Sequence, residues 1–438
     1  MKRNFLILLI ITAFLTCITQ LEGKSKSKKS RKPAPALIIP THSEKIVPED
    51  DLPIESGLET EPESSTKKIR VLLAEHNSTH ETKFLIKSAN GFILESPVGI
   101  GQTAIYNKPE LHLLCSGDKL FLQCRDGKYR RIKYTSIEAC NATSNMVLNG
   151  TSYQGSLTFR LDEEVGKVLV INKLPLEDYV SSVVYSESIP TWPYPMQKIQ
   201  AIASRTYALF LMQQARIKNP LFKYFDIKNT NLHQVYKGAH GYSHIKRAVE
   251  ETKNIIVTHK GKIALTMFDI CCAGAIPALM VPKDFSKPYL MRSESCQYCH
   301  QNSSFQWKSD IHDGTFLREL KDNSPVTHKF KKFGSKLESV TMQQIDKAGQ
   351  VHKVKIHDQH GNCVTLTGSE LRKSFPSKIK SLSFTIKKVR DRIVINGKGY
   401  GHQRGLCQWG AKELVDRSWS TKKILKFYYP GTTLSRLA

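Results

Sequence analysis

Between residues 174 and 211, apolar side chains recur every three or four positions, twice over, with a proline-rich elbow between. Leu176, Val180, Val183 and Val184 form one stripe; Met196, Ile199, Ile202, Ala203, Leu209 and Phe210 form the next. That period marks helices with one buried face. Pro175 suits the start of the first helix, where a missing N–H costs nothing, and Pro190, Pro193 and Pro195 stop it and start the second. Carried one step further, the first stripe reaches Glu187. A carboxylate held against apolar atoms has its ionised form disfavoured, and the raised pKa suits a general acid near neutral pH. A glutamate that caps the helix or pairs with a local arginine shows the same pattern. Arg205, in the second helix, is placed to reach back to Glu187 or to bind a substrate.

Upstream, from residue 69 to about 170, the pattern shortens to runs such as LHLL, LFLQ and GSLTFRL, broken by SGD, RDGK and LNGTSYQG. These read as short β-hairpins. Downstream, residues 254–259 and 263–268 read as paired strands. Residues 305–330 read as helical from Trp307, residues 340–366 as strands split near Gly361, and GSELRKSF as a short helix capped by Ser369. Residues 383–386 and 392–395 read as strands, GYGHQRGLCQWGA as a glycine-spaced loop opening a helix near Gln408, and residues 421–428 as a last helix. Strands mixed with unevenly placed helices predict an α+β fold. We expect a β-rich subdomain over residues 68–165, packed on a mixed α/β domain over 166–438.

The N-terminus changes the picture. Lys2 and Arg3 precede an apolar run over residues 5–15, too short for a comfortable membrane span, so residues 1–23 read as a secretory signal or membrane anchor. Residues 24–67, basic and then acidic with prolines, lack the periodicity of a core and read as a charged linker without fixed structure. The 438 residues carry a formal charge of +26, which favours an anionic partner: nucleic acid, membrane surface or acidic wall polymer. Export removes nucleic acid from that set. The expected location is the periplasm or cell envelope.

At this point the linked motifs LPLEDYV, SES-I-P-x-W-P, AIASRTY, GSELR, GHQRGLCQWGA and ILKFYYPGT, in that order, resemble the SpoIID/LytB family of stage II sporulation protein D and amidase-enhancer domains. The resemblance runs from about residue 69 to the C-terminus. It implies work on peptidoglycan. Sporulation members of the family look like lytic transglycosylases that cut glycan strands stripped of stem peptides, with the catalytic glutamate at the position of Glu187. Other members enhance an amidase, so a non-catalytic glycan binder is the alternative. The implied partners are glycan strands, with an amidase, septal division proteins or an anionic membrane surface as further candidates. The family's GHGxGxSQ reads here as Gly401 to Gln408, with Gln403 and Cys407 in place of a common Gly and Ser.

A hydrolase normally needs two carboxylates, whereas a lytic transglycosylase works with one. Glu187 would protonate the oxygen between N-acetylmuramic acid and N-acetylglucosamine, then take the proton of the muramyl C6 hydroxyl as that oxygen attacks the anomeric carbon. No cofactor is required for this chemistry. Arg205, Tyr207, Trp192, His402 and Gln408 are the candidate substrate-binding residues, Arg205 for the lactyl carboxylate; core packing is the competing role for Trp192 and Tyr207. Cys271, Cys272, Cys296 and Cys299 form a second constellation, read either as a structural tetrahedral zinc site or as two disulfides. Some relatives carry a metal in this region.

Overall fold

The structure is a computed structural model. It describes residues 67–437 apart from 78, 96–102, 107, 125, 133–135, 141–143, 163–165, 219–222 and 231–232. The signal or anchor segment, and all but the last residue of the charged linker, lie outside the described residues.

Helices and strands are mixed in several sheets, as the α+β expectation requires. A seven-stranded sheet runs in the order Ile227–Lys228, Lys68–Asn77, Lys167–Pro175, Ser156–Asp162, Ser136–Cys140, Phe92–Glu95, Thr103–Tyr106. A six-stranded sheet centred on Thr82–Lys87 and Glu110–Ser116 lies beside it in sequence. Lys167–Pro175 pairs antiparallel with Lys68–Asn77 on one side and Ser156–Asp162 on the other. Val168 to Ile171 are buried in succession, the signature of a strand covered on both faces.

Helix α1, Leu176–Glu187, leaves this strand directly, and α2, Tyr194–Lys218, follows the elbow. The boundary expected at 165/166 therefore does not divide two cores. Ile69, Phe84, Phe159 and Val170 of the strands share one core with Tyr179, Val183, Ala201 and Leu209 of α1 and α2. The other face of α2 carries Met196, Ile199 and Ile202 into a second core. That core includes Leu406, Ala411, Leu425 and Tyr428 and five cysteines. Helix α3, Ser243–Glu251, packs on α2.

Residues 307–395 supply a third core of their own. Here one expectation fails. Gln306–His312 is a strand, not a helix; only Asp313–Arg318, α4, is α-helical before tighter and wider turns follow. Trp307 and Ile311 are buried between exposed neighbours in this strand, and apolar residues four apart fit a helix face as well as alternate strand positions. The strands Leu337–Ile345, Val351–Asp358 and Cys363–Thr367 form one sheet, and Gln306–His312, Arg392–Lys398 and Phe384–Val389 another. Helix α5, Gly368–Ser374, starts from a capping box made by Thr367 and Glu370, two residues before the expected cap at Ser369. Helices α6, Gln408–Asp416, and α7, Thr421–Tyr428, then return to the second core.

Candidate functional site: a carboxyl at the helix elbow

The last turn of α1 is held from outside the helix. The Ser188 N–H and hydroxyl both donate to the Val184 carbonyl, at 3.1 and 2.7 Å. The Gln408 amide, at the start of α6, donates to the Glu187 carbonyl at 2.8 Å. The Gln197 amide of α2 donates to the Ile189 carbonyl at 3.0 Å, and His244 Nε2 bonds the Pro190 carbonyl at 2.7 Å. Carbonyls that a helix end leaves free are thus met by neighbouring elements. The direction in which the Glu187 side chain leaves the helix is fixed.

That side chain is half-buried. Its Oε1 accepts the Val235 N–H; among the described residues no protein donor bonds Oε2. Burial raises the Glu187 pKa, and the Val235 N–H and the Lys237 ammonium pull it partly back. No second carboxylate contributes to the shift. Tyr207 stands close enough for the Glu187 charge to act on it: burial first, then that charge, push its phenol up to about 12. Tyr179 is raised by the same two causes and donates to Gln234 at 3.0 Å. The segment from Gln234 to Lys237 carries no sequence signal, because its contribution is a backbone N–H and a lysine of no particular spacing.

Arg205 requires a correction. It neither reaches Glu187 nor faces a substrate. Its side chain is 0% exposed, and Nε and Nη2 bond the Glu177 carboxylate at 2.9 and 2.6 Å. Nη1 donates to the Ile255 carbonyl at 3.2 Å and Nη2 to the Val249 carbonyl at 3.1 Å. The remaining contacts are to Thr252. Every edge of the guanidinium is committed to tying α1, α2 and α3 together. Glu177, in the first turn of α1, is the partner. Glu177→Ala leaves a buried cation unpaired, and we expect a loss of about 3–5 kcal/mol of stability, read as a lowered urea midpoint.

The other expected binding residues divide. Gln408 is 2% exposed and bonds main chain, so it positions Glu187 and does not meet a substrate. Trp192 packs edge-on against Trp409 at 5.5 Å between centroids, at the margin of the second core. Tyr207 is brought to Glu187. His402 is half-buried on the glycine-rich loop; its Nδ1 accepts the Arg404 N–H at 3.1 Å. Burial and the charges of Arg372 and Arg404 push its pKa down to about 4. Below the loop lies Asp269, whose carboxyl accepts the Gln403 N–H and is raised well above the usual range by burial. A Cβ at Gly401, where φ is +131°, would sit 2.2 Å from the Asp269 Cβ, which explains the glycine.

The cysteine set also changes. Cys272, Cys296, Cys299 and Cys407 place their sulfurs within 4.8 Å of one another, all buried. Cys272 and Cys299 are 3.9 Å apart, far beyond a disulfide bond. A tetrahedral zinc with Zn–S bonds of about 2.3 Å sets its sulfurs roughly 3.8 Å apart, so the four thiols fit the ion. Cys271, in the expected set, is not one of these four: its thiol faces the Cys299 carbonyl at 3.8 Å and borders the cluster beside Cys299 and Cys407. Cys407 takes the fourth place. Its sulfur also accepts the Cys272 N–H at 3.3 Å, and Tyr428 reaches Cys296 at 3.2 Å.

A half-buried carboxyl of raised pKa thus stands at the elbow between two helices, whose main chain is tied to the end of the glycine-rich loop by Gln408. Residues 164–259, which hold α1, α2, Glu187 and Lys237, match the stage II sporulation protein (SpoIID) family. Residues 286–405 match a domain of unknown function. An uncharacterized protein of Brachyspira hyodysenteriae is 34% identical over 289 residues, covering 66% of this chain and 73% of that one. The Bacillus subtilis amidase enhancer is 28% identical over 333 residues, 67% of this chain and 46% of its own. The Bacillus subtilis stage II sporulation protein D is 26% identical over 272 residues, 60% and 76% respectively. This chain thus spans less than half of the amidase enhancer's length. The chain belongs to the SpoIID/LytB family.

Proposed function

We propose that the chain is an exported, cell-wall-directed lytic transglycosylase that cuts peptide-stripped glycan strands between N-acetylmuramic acid and N-acetylglucosamine. The observation that carries this reading is Glu187, a half-buried carboxyl of raised pKa with no second carboxylate acting on it. In its protonated form, which burial favours, it donates its proton to the bridging oxygen as the C1–O bond breaks. The C6 hydroxyl of the same muramyl residue then attacks C1, and its proton returns to Glu187. Protons balance, no water is consumed, and the product end is a 1,6-anhydro sugar. The Val235 N–H holds Oε1, leaving Oε2 to carry the proton. Lys237, exposed and acting on the same carboxyl, takes the place once expected for Arg205 as the cation for a lactyl carboxylate.

In this reading zinc is structural. Cys272, Cys296, Cys299 and Cys407 would hold it as thiolates and so staple the loop of Cys296 and Cys299 to the start of α6. Septal or sporulation-like remodelling, and partnership with an amidase, are the settings consistent with the relatives' names. The amidase enhancer among those relatives favours a second reading, a glycan binder that stimulates an amidase without cutting. Mass spectrometry of digested, peptide-stripped strands tests the proposal. Anhydro-muramyl ends are expected; strands recovered intact with a bound protein leave only the second reading.

A further inference from the structure

The third core carries a groove that the acid/base site does not use. Its volume is about 580 Å³, within the range of small-ligand sites. It lies on the sheet of Gln306–His312, Arg392–Lys398 and Phe384–Val389. Cross-strand register sets Gln306 opposite Lys398, and Lys308, Asn396 and Thr385 in one row. All five side chains are exposed. Trp307, Gly397 and Phe384 form the intervening row. A Cβ at Gly397 would lie 2.1 Å from the Trp307 ring, so the indole fills the space of the missing side chain and stiffens the floor. The indole N–H donates to the Gly399 carbonyl at 2.8 Å. The groove therefore ends where the glycine-rich loop of His402 begins.

We propose that this groove is a second binding site for glycan, specifically for a hydroxyl- and amide-rich strand carrying sparse carboxylates. It rests on the reading of the chain as a protein of peptidoglycan strands, and extends it to a site distinct from Glu187. Two carboxamides and a threonine hydroxyl, exposed on one sheet, match the hydroxyl and N-acetyl groups of a sugar chain. No carboxylate lines the groove, and neither Lys308 nor Lys398 is paired with one among the described residues. Two separated ammonium groups suit one negative charge per repeat, as a lactyl carboxylate provides, better than a phosphate at every unit. The apolar side chains at the groove, Trp307 and Phe384, are themselves buried, which removes a lipid tail as ligand. Residues 286–405 contain 22 Lys and Arg against 10 Asp and Glu, so the whole region attracts polyanions.

The test uses the full chain carrying Glu187→Gln, so that strands stay whole. Binding is measured by calorimetry against peptide-stripped glycan strands, the same strands with their lactyl carboxylates amidated, and polyphosphate. Lys308→Glu with Lys398→Glu, and separately Thr385→Ala with Asn396→Ala, should each weaken binding to the stripped strands about tenfold or more, with thermal unfolding unchanged because all four side chains are exposed. Amidated strands should lose the sensitivity to the lysine pair and keep that to the Thr385 and Asn396 pair. Binding unmoved by either pair overturns the proposal, and so does polyphosphate bound more tightly than the strands through the same lysines. Cutting of short oligosaccharides by the chain with Glu187 intact is scored in parallel. Cutting without groove-dependent binding sinks only the groove; groove-dependent binding without cutting sinks only the catalytic reading.

Discussion

Replacing Glu187 by glutamine should reduce the release of anhydro-muramyl ends by about 10³–10⁴-fold, the upper range for a positioned general acid and base, because one group performs both transfers. The amide oxygen can still accept the Val235 N–H, and the carbonyl bond from Gln408 involves only main chain, so α1 keeps its end and the loss is chemical. Strand binding should persist. A variant that cuts at the wild-type rate removes Glu187 from the mechanism outright.

The same substitution has a consequence for stability whose sign is set by burial. The folded state raises the Glu187 pKa, so it favours the protonated form. Relative to the unfolded chain, that preference costs nothing below the unfolded pKa. It subtracts stability as pH rises through the raised folded pKa, where a charge must be held half-buried. Glutamine carries no such charge. Glu187→Gln should therefore unfold at a higher temperature than the wild type at pH 7–8 and at the same temperature near pH 3. A difference of the opposite sign means that the carboxylate is stabilised where it lies and is no general acid at neutral pH. Wild-type cutting should decline on the alkaline side as the acid form is lost.

Much of this site was legible in the sequence because local periodicity and prolines determine it. The stripe from Leu176 to Val184, the stop at Pro190 and the restart before Met196 fix where Glu187 falls, and the helices end close to where the pattern puts them. What depends on long-range approach was not legible. Glu177 meets Arg205 across 28 residues, and Val235 meets Glu187 across 48, with no spacing rule to announce either. Departures from the family motif proved informative in a different way. Gln403 adopts φ of +63°, the left-handed region that a glycine occupies readily. It is kept there by its own side chain: the amide donates to the Cys272 carbonyl at 2.9 Å, and Oε1 accepts the Ser383 hydroxyl at 2.7 Å and the Gln350 amide at 3.2 Å. The glycine-rich loop is thereby fastened to the third core. The second departure, Cys407, supplies the fourth thiol.

Cys407→Ser should remove the metal, and it is the sharpest test of the thiol set. With Cys272, Cys296, Cys299 and Cys407 converging within 4.8 Å, the wild type purified without chelator should carry one zinc per chain. Loss of one ligand leaves three buried thiols around an incomplete site, and metal loss belongs among the few causes of destabilisation above about 4 kcal/mol. Cys271→Ser should retain zinc, since that thiol borders the cluster and is not one of the four that converge on its centre. The contrast between two serines discriminates the structure's set from the one that spacing alone suggests. Cutting should fall with the metal even though zinc touches no sugar. Cys407 is followed directly by Gln408, whose amide holds the Glu187 carbonyl, and α6 passes so close to the cluster that a Cβ at Gly410 would sit 2.7 Å from the Cys296 sulfur. Chelation of the wild type should reproduce the Cys407→Ser profile, and zinc should restore the chelated wild type but not the variant. Metal-free wild-type protein with no titratable thiols in that cluster would mean disulfides there, and the coupling from thiolates to Glu187 would have no physical carrier.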